Sequence, residues 1–212
     1  MELNPVERWF VNSPVRRSLR ARSVRRLVAP LRDISPDGRA LEIGCGEGAA
    51  IGPILKAVRP SVLDAFDLDE RQLERARRKF DAEGGRVVLG TGSAAAIPAP
   101  PGTYDTVFQF QVFHHIPNWR TALAEVSRVL RPGGYFIFTD TPIEFFSRLP
   151  LGPVLRAVTD HPYDMMFSED EFRDTLRAVK LETVHWRRLR SGSFEGVARR
   201  AGRQAAGRED AA

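Results

Sequence analysis

The chain has 212 residues, 42% of them hydrophobic, and a single cysteine; it can bury one ordinary globular core, and it lacks the thiols for an internal disulfide framework or a cysteine-based zinc site. Its 32 Lys and Arg outweigh 27 Asp and Glu for a formal charge of +5, which suits an anionic surface but is also common among proteins that are merely soluble. No apolar run reaches the roughly 18 residues of a membrane span and no signal-like segment opens the chain, so a cytosolic protein is expected.

Ser13 followed by Pro14 reads as a helix cap with proline at the first helical position. Val15, Leu19, Val24, Leu27, Val28 and Leu31 recur at helical spacing, with Arg16, Arg17, Arg20, Arg22, Arg25 and Arg26 on the other face. A short strand, "RALEI", then enters the turn "GCGEG", and a helix is expected from about Ala49 to Val58, stopped near Pro60. "SVLDAFDLD" reads as a second strand, Glu70 to Phe80 as a charged helix, "RVVLG" as a third strand and "YDTVFQFQ" as a fourth. "WRTALAEVSRVL" is a helix, "RPGG" its terminator and "YFIFTD" a fifth strand. Alternation of strand and helix implies a parallel sheet covered on both faces.

Beyond Asp140 the pattern breaks. Residues 141–167 are apolar and proline-interrupted, more like a lid over a substrate than a regular unit. Ser168 and Glu171 stand at capping-box spacing and open a helix. "LETVHWRRL" and "SFEGVARR", separated by "RSG", form a closing antiparallel hairpin, and residues 201–212 read as a flexible tail.

In such sheets the first strand-to-helix turn is where a ligand meets the backbone. Gly44, Gly46 and Ala49 satisfy the dinucleotide pattern G-x-G-x-x-G/A, and Asp67 closes the next strand where an acid would take ribose hydroxyls. On these residues alone a nicotinamide-dependent oxidoreductase stays open. Asp69 competes with Asp67 for the acidic role, and either could cap the following helix. Cys45 reads as a small filler of the turn, not a nucleophile.

Four further features occur together: Glu42 ahead of Gly44, Gly46 and Gly48; "FHHIPNW" after the fourth strand; "RPGGYFIFTD"; and a terminal hairpin in place of a second nucleotide-binding half. Over residues 38–200 the combination resembles the class I S-adenosylmethionine-dependent methyltransferases, in the group that includes the ubiquinone/menaquinone-type C-methyltransferases. The resemblance implies an α/β, doubly wound, Rossmann-like sheet of seven strands in the order 3-2-1-4-5-7-6, strand 7 antiparallel, within a domain spanning 36–200. It implies that Glu42 and the backbone of Gly44, Cys45, Gly46 and Gly48 hold the methionine end of the cofactor. Asp67 would accept both ribose hydroxyls, and Leu68 would press on the adenine. The family has an aspartate where Ser93 stands, so the adenine contact there would be weaker or carried by water, with the Ala94 N–H still available. Gln109 would border the cofactor.

A methyltransferase cofactor carries the hard chemistry, and the protein aligns the acceptor, excludes water and removes a proton where one is present. His114 and His115 are the expected general bases, because histidine titrates near neutrality and this segment borders the methyl in the family. Gln111, His161 and Tyr163 are the expected substrate contacts. No metal ligand set is evident, and the motifs of nucleic-acid methylating relatives are missing, so the expected partner is a small, hydrophobic or lipid-like acceptor and not nucleic acid. Residues 1–35 form a basic segment that either covers the cofactor pocket or lies on a membrane surface as an interfacial helix. The chain is expected to be a monomer or homodimer. A member that binds the cofactor without turnover remains the alternative.

Overall fold

A computed structural model describes residues 14–148 and 163–202. Seven strands carry the chain: β1 (Arg39–Ile43), β2 (Val62–Asp67), β3 (Val87–Thr91), β4 (Tyr104–Phe110), β5 (Leu130–Asp140), β6 (Leu181–Arg188) and β7 (Phe194–Arg200). They form one sheet in the order β3-β2-β1-β4-β5-β7-β6. The first five are parallel, and β7 runs antiparallel to both β5 and β6. Among the described residues six α-helices accompany them: α1 (Pro14–Val28), α2 (Ile51–Ala57), α3 (Glu70–Phe80), α4 (Trp119–Val129), α5 (Ile143–Arg148) and α6 (Glu169–Ala178).

Because strand side chains alternate between faces, each buried strand feeds two cores. On β5, Phe136 and Phe138 join an aromatic core with Trp119, Phe113, Phe167, Phe172 and Phe194 beneath α4 and α6. Tyr135 and Ile137, their neighbours in sequence, face the opposite and mainly aliphatic core of Val24, Leu27, Ile51, Ile54 and Leu73, contributed by α1, α2 and α3. Burying one such side chain stabilises the fold by roughly 1.5–3 kcal/mol.

Local chemistry sets the helix ends. Asp69 caps α3 by accepting from the Arg71 N–H at 3.0 Å. Ser168 and Glu171 close the expected capping box on α6. Buried Glu195 anchors α1 to the sheet: Arg26 Nε donates to it at 2.9 Å, and Arg187 of β6 reaches the same oxygen at 2.6 Å.

Three local expectations are corrected. "RPGG" does not merely end α4; β5 already begins at Leu130, and the register with β4 slips between Tyr104↔Leu130 and Thr106↔Tyr135. The extra residues bulge from the strand, with Gly133 at φ 79°. Leu19, placed on the inward stripe of α1 by its spacing, is 53% exposed. The helix after the glycine turn runs only from Ile51 to Ala57. The Ser13 cap and most of the 141–167 segment lie outside the described residues. Among the described residues no helix is long and apolar enough to cross a membrane.

Candidate active site

The carboxyl ends of β1, β2 and β4 and the segment after β3 converge on one cleft, as expected at the switch point of an open parallel sheet. It encloses about 940 Å³ of empty space, its open mouth included.

One wall is the turn after β1. The Gly44 and Cys45 N–H groups both donate to Phe66 O, at 2.8 and 3.0 Å, so the turn is pinned to the end of β2. Gly44 and Gly48 have positive φ, and a Cβ on either would strike a neighbour, Val112 at 2.4 Å or Phe80 at 2.6 Å. Gly46 differs. It lines the cavity at φ 54°, and a Cβ there would meet no protein atom within 4 Å. At Gly44 and Gly48 close packing requires glycine, while Gly46 leaves a bare cradle for a ligand to approach. Cys45 is fully buried, and burial pushes its thiol well above the usual range.

Asp67 ends β2 and faces the cavity. Its two oxygens take the Gly46 N–H at 2.8 Å and the Asp69 N–H at 2.9 Å, one each. A carboxylate has about four acceptor positions, so two remain for a diol. Asp69, the competing acid, is committed to the α3 cap. Leu68 is 56% exposed at the cavity, and Ala94 and Gly92 line it nearby. Ser93 turns its hydroxyl to the Ala95 N–H at 3.3 Å, closing its own turn.

Glu42 lies beneath the glycine turn, 2% exposed, with Oε2 lacking a hydrogen-bond partner. Burial lifts its carboxyl to about 8 against the attraction of Arg20, and Asp67 adds to the rise. Arg20 reaches the cavity from α1, half-buried.

The opposite wall follows β4. His114, 7% exposed, lies in a 3₁₀ turn (Phe113–His115), with Nδ1 at 2.5 Å from Asp140 Oδ1. Asp140, fully buried at the end of β5, also accepts from Gln109 Nε2 at 2.6 Å and from the backbone N–H groups of Phe113 and Thr141 at 2.9 and 2.7 Å. With the Gln109 amide and two backbone N–H groups also donating to it, Asp140 is placed to accept the His114 Nδ1–H, which selects the tautomer with no proton on Nε2. His115 lines the cavity beside it, the two rings 4.1 Å apart. Gln111 lines it too, in the left-handed region at φ 61°, a strained position for a residue with a side chain. Its Oε1 accepts from Thr141 Oγ1 at 2.6 Å, and Thr141 meets Ser193 at 2.9 Å.

The structure therefore gathers Gly44, Gly46, Asp67, Leu68, Ala94, Gln111, His114 and His115 around one cavity. Gln109 is fully buried behind the wall, bonded to Asp140 and not facing a ligand. Tyr163 is buried in a 3₁₀ turn away from the cavity lining, and His161 lies outside the described residues. Two residues of the site escaped sequence reasoning. Asp140 had one available signal, its place at the carboxyl end of a buried strand; Arg20 had none that set it apart from its neighbouring arginines.

Residues 41–138 match the methyltransferase domain family. That match, the relatives below and the strand order together support a class I S-adenosylmethionine-dependent methyltransferase. The chain is 31% identical over 159 residues to a fatty-acid O-methyltransferase of Mycolicibacterium smegmatis, covering 75% of this chain and 53% of that protein. It is 32% identical to a sarcosine/dimethylglycine N-methyltransferase of Halorhodospira halochloris, covering 77% and 58%. The chain thus spans little more than half the length of these curated relatives. A solved S-adenosylmethionine-dependent methyltransferase from Aquifex aeolicus superposes with a TM-score of 0.69 at 19% identity, covering 94% of this chain and all of that one, which is a likeness of fold.

Proposed function

We propose that this methyltransferase domain transfers a methyl group from S-adenosylmethionine to a small, largely apolar acceptor, with His114 as the general base. The observation that carries the reading is the His114–Asp140 pair, set in the same cavity as the Gly46 cradle and the half-satisfied carboxylate of Asp67.

The residues fit the cofactor. Asp67 has two acceptor positions left for the ribose diol, and the orphaned Glu42 Oε2 suits an ammonium group. Leu68 and Ala94, which line the cavity, would hold the adenine, with Ser93 contributing less than an aspartate would. When bound, S-adenosylmethionine supplies a methyl group already made electrophilic by its sulfonium. The protein's task is then placement and proton removal. His114 Nε2 takes the acceptor's proton while Asp140 stabilises the resulting imidazolium, and His115 and Gln111 orient the acceptor. Ile43, Phe66, Phe110, Val112 and Ile116 give the cavity apolar walls, and a relative named for fatty acids accords with an apolar acceptor.

Calorimetry with S-adenosylhomocysteine and with NADH tests the cofactor, and methyl-labelled S-adenosylmethionine offered with a long-chain fatty acid, a phenol and a polar amine tests the acceptor. Binding of S-adenosylhomocysteine and label in an apolar product are expected. Binding of NADH alone overturns the reading, and label confined to the polar amine overturns the acceptor class.

A further inference from the structure

Two side chains of one cavity wall are held from adjacent residues at the end of β5: His114 by Asp140 and Gln111 by Thr141. The first arm ends in a base, the second in an amide. Gln111 is pinned at two points. Its backbone N–H donates to Thr139 O at 2.8 Å, and its Oε1 lies 2.6 Å from Thr141 Oγ1. These bonds keep a residue with a side chain in the left-handed region at φ 61°, a strain that persists only where the surroundings over-determine it.

The direction of the amide follows from distance. A separation of 2.6 Å is ordinary for O–H···O and short for N–H···O, so the Thr141 hydroxyl donates and the Gln111 oxygen accepts. That spends the one proton on Thr141 Oγ1, and Ser193, 2.9 Å away, donates to it in turn. Gln111 therefore turns its carbonyl to the protein and keeps its amide N–H groups for the cavity it lines, where no acceptor meets them among the described residues. Donation from Thr141 into that carbonyl polarises the amide and strengthens its N–H groups as donors. The donor is neutral, and Phe110, Val112 and Ile116 give the wall around it an apolar surface. Such a place suits a neutral carbonyl oxygen, whereas a methylene there would leave the N–H groups unsatisfied.

We infer that the acceptor carries a hydroxyl and a carbonyl oxygen on one edge, the hydroxyl methylated beside His114 and the carbonyl accepting from Gln111. The inference rests on the proposed methyl-transfer reading with His114 as base, and it names the polar head of the acceptor within that reading. The hydroxyl proton passes to His114 Nε2 and the hydroxyl oxygen bonds the methyl carbon, while the electron pair of the broken carbon–sulfur bond stays on sulfur. The carbonyl takes no part beyond its hydrogen bond. A carboxylic acid, already ionised near neutral pH, would bring no proton for His114 to take. Thr141 and Ser193 are positioning residues, through which the terminal hairpin helps to choose the substrate.

The test offers the whole chain matched phenols together with methyl-labelled S-adenosylmethionine. One set is the ortho-, meta- and para-hydroxyphenyl hexyl ketones; the other is the heptylphenols in which a methylene replaces each carbonyl. At least one ketone is expected to exceed its partner in kcat/KM by roughly 10-fold, the worth of one neutral hydrogen bond. Gln111→Leu should erase that preference, and Gln111→Glu should reverse it, since a carboxylate only accepts. Thr141→Val, which frees the amide to turn over, should diminish the preference, and Ser193→Ala should diminish it less. A purely structural role would lower both members of a pair alike, leave their ratio as it was, and overturn the inference. Thermal melting checks folding, with Thr141→Val as the milder substitution if the Gln111 variants fail to fold. Equal use of both members of every pair by the unsubstituted protein would overturn the inference, as would label in a long-chain fatty acid and in none of the ketones. If no phenol takes label while S-adenosylhomocysteine binds, this inference falls and the cofactor reading stands. If S-adenosylhomocysteine does not bind, both fall.

Discussion

On the β1–β2 side of the cavity the shape is written in backbone: two N–H groups on Phe66 O, two on Asp67, and glycines whose missing side chains leave the space. On the β4–β5 side it rests on side chains, with His114, Gln109 and two N–H groups gathered on Asp140, and Gln111 tied through Thr141 to Ser193. The first wall is fixed by residues about twenty apart, the second by partners 26 to 31 apart on separate strands and, through Ser193, by the final hairpin. A backbone wall tolerates change in acceptor chemistry without changing cofactor, while a side-chain wall can be re-specified one substitution at a time. The two named relatives, one acting at oxygen and one at nitrogen, accord with that division.

The sharpest way to break the comparison is to strike each wall and read binding and turnover separately. His114→Gln should lower turnover about 10²–10⁴-fold, the usual share of a general base, while S-adenosylhomocysteine affinity stays as it was. An equal loss in binding would show that the side-chain wall also holds the cofactor. Asp67→Ala should weaken S-adenosylhomocysteine about 100-fold through loss of a charge-assisted pair and release of the turn. Unchanged affinity would mean that another acid holds the ribose.

Glu42 offers a subtler test. In the unfolded chain its carboxyl titrates near 4.5, and burial lifts it to about 8 in the folded protein. The folded state therefore holds more protons than the unfolded state between those values, so this group lowers stability progressively as pH rises through that window. The ligand-free Glu42→Gln protein should melt above the unsubstituted one by a margin that grows from pH 5 to pH 8, while binding S-adenosylhomocysteine more weakly. A margin independent of pH would refute the assignment. The smallest effect is expected at Ser93: Ser93→Asp should tighten cofactor binding about fivefold, the difference between a neutral and a charged hydrogen bond. Weaker binding would show that the Ser93 turn already serves the adenine as it stands.

The sheet was legible in the sequence because its signals are local. Alternating apolar strands, Asp69 and Ser168 as caps and the Gly44–Gly48 turn all act within a few residues. Strand order came from the resemblance and not from periodicity. The backbone wall could be named residue by residue for the same local reason. Asp140 could not, since nothing near it in sequence tells that it will face His114, and Gln109, expected at the cofactor, is turned away by that same carboxylate. The start of β5 was misplaced because proline and glycine read as a terminator, whereas a bulge accommodates them within the strand. Leu19 shows the limit of helical spacing, which places residues on a face but does not say how wide the buried stripe is.

Cys45, buried in the glycine turn with its thiolate disfavoured, is the chain's single cysteine. The folded protein is therefore expected to resist thiol reagents, so that a cysteine introduced at the surface would take the label alone. Leu68→Cys would place that label at the cavity mouth, where an environment-sensitive fluorophore reports the arrival of a nucleoside in real time. The residue that fills the turn so quietly leaves the rest of the molecule open to single-probe kinetics.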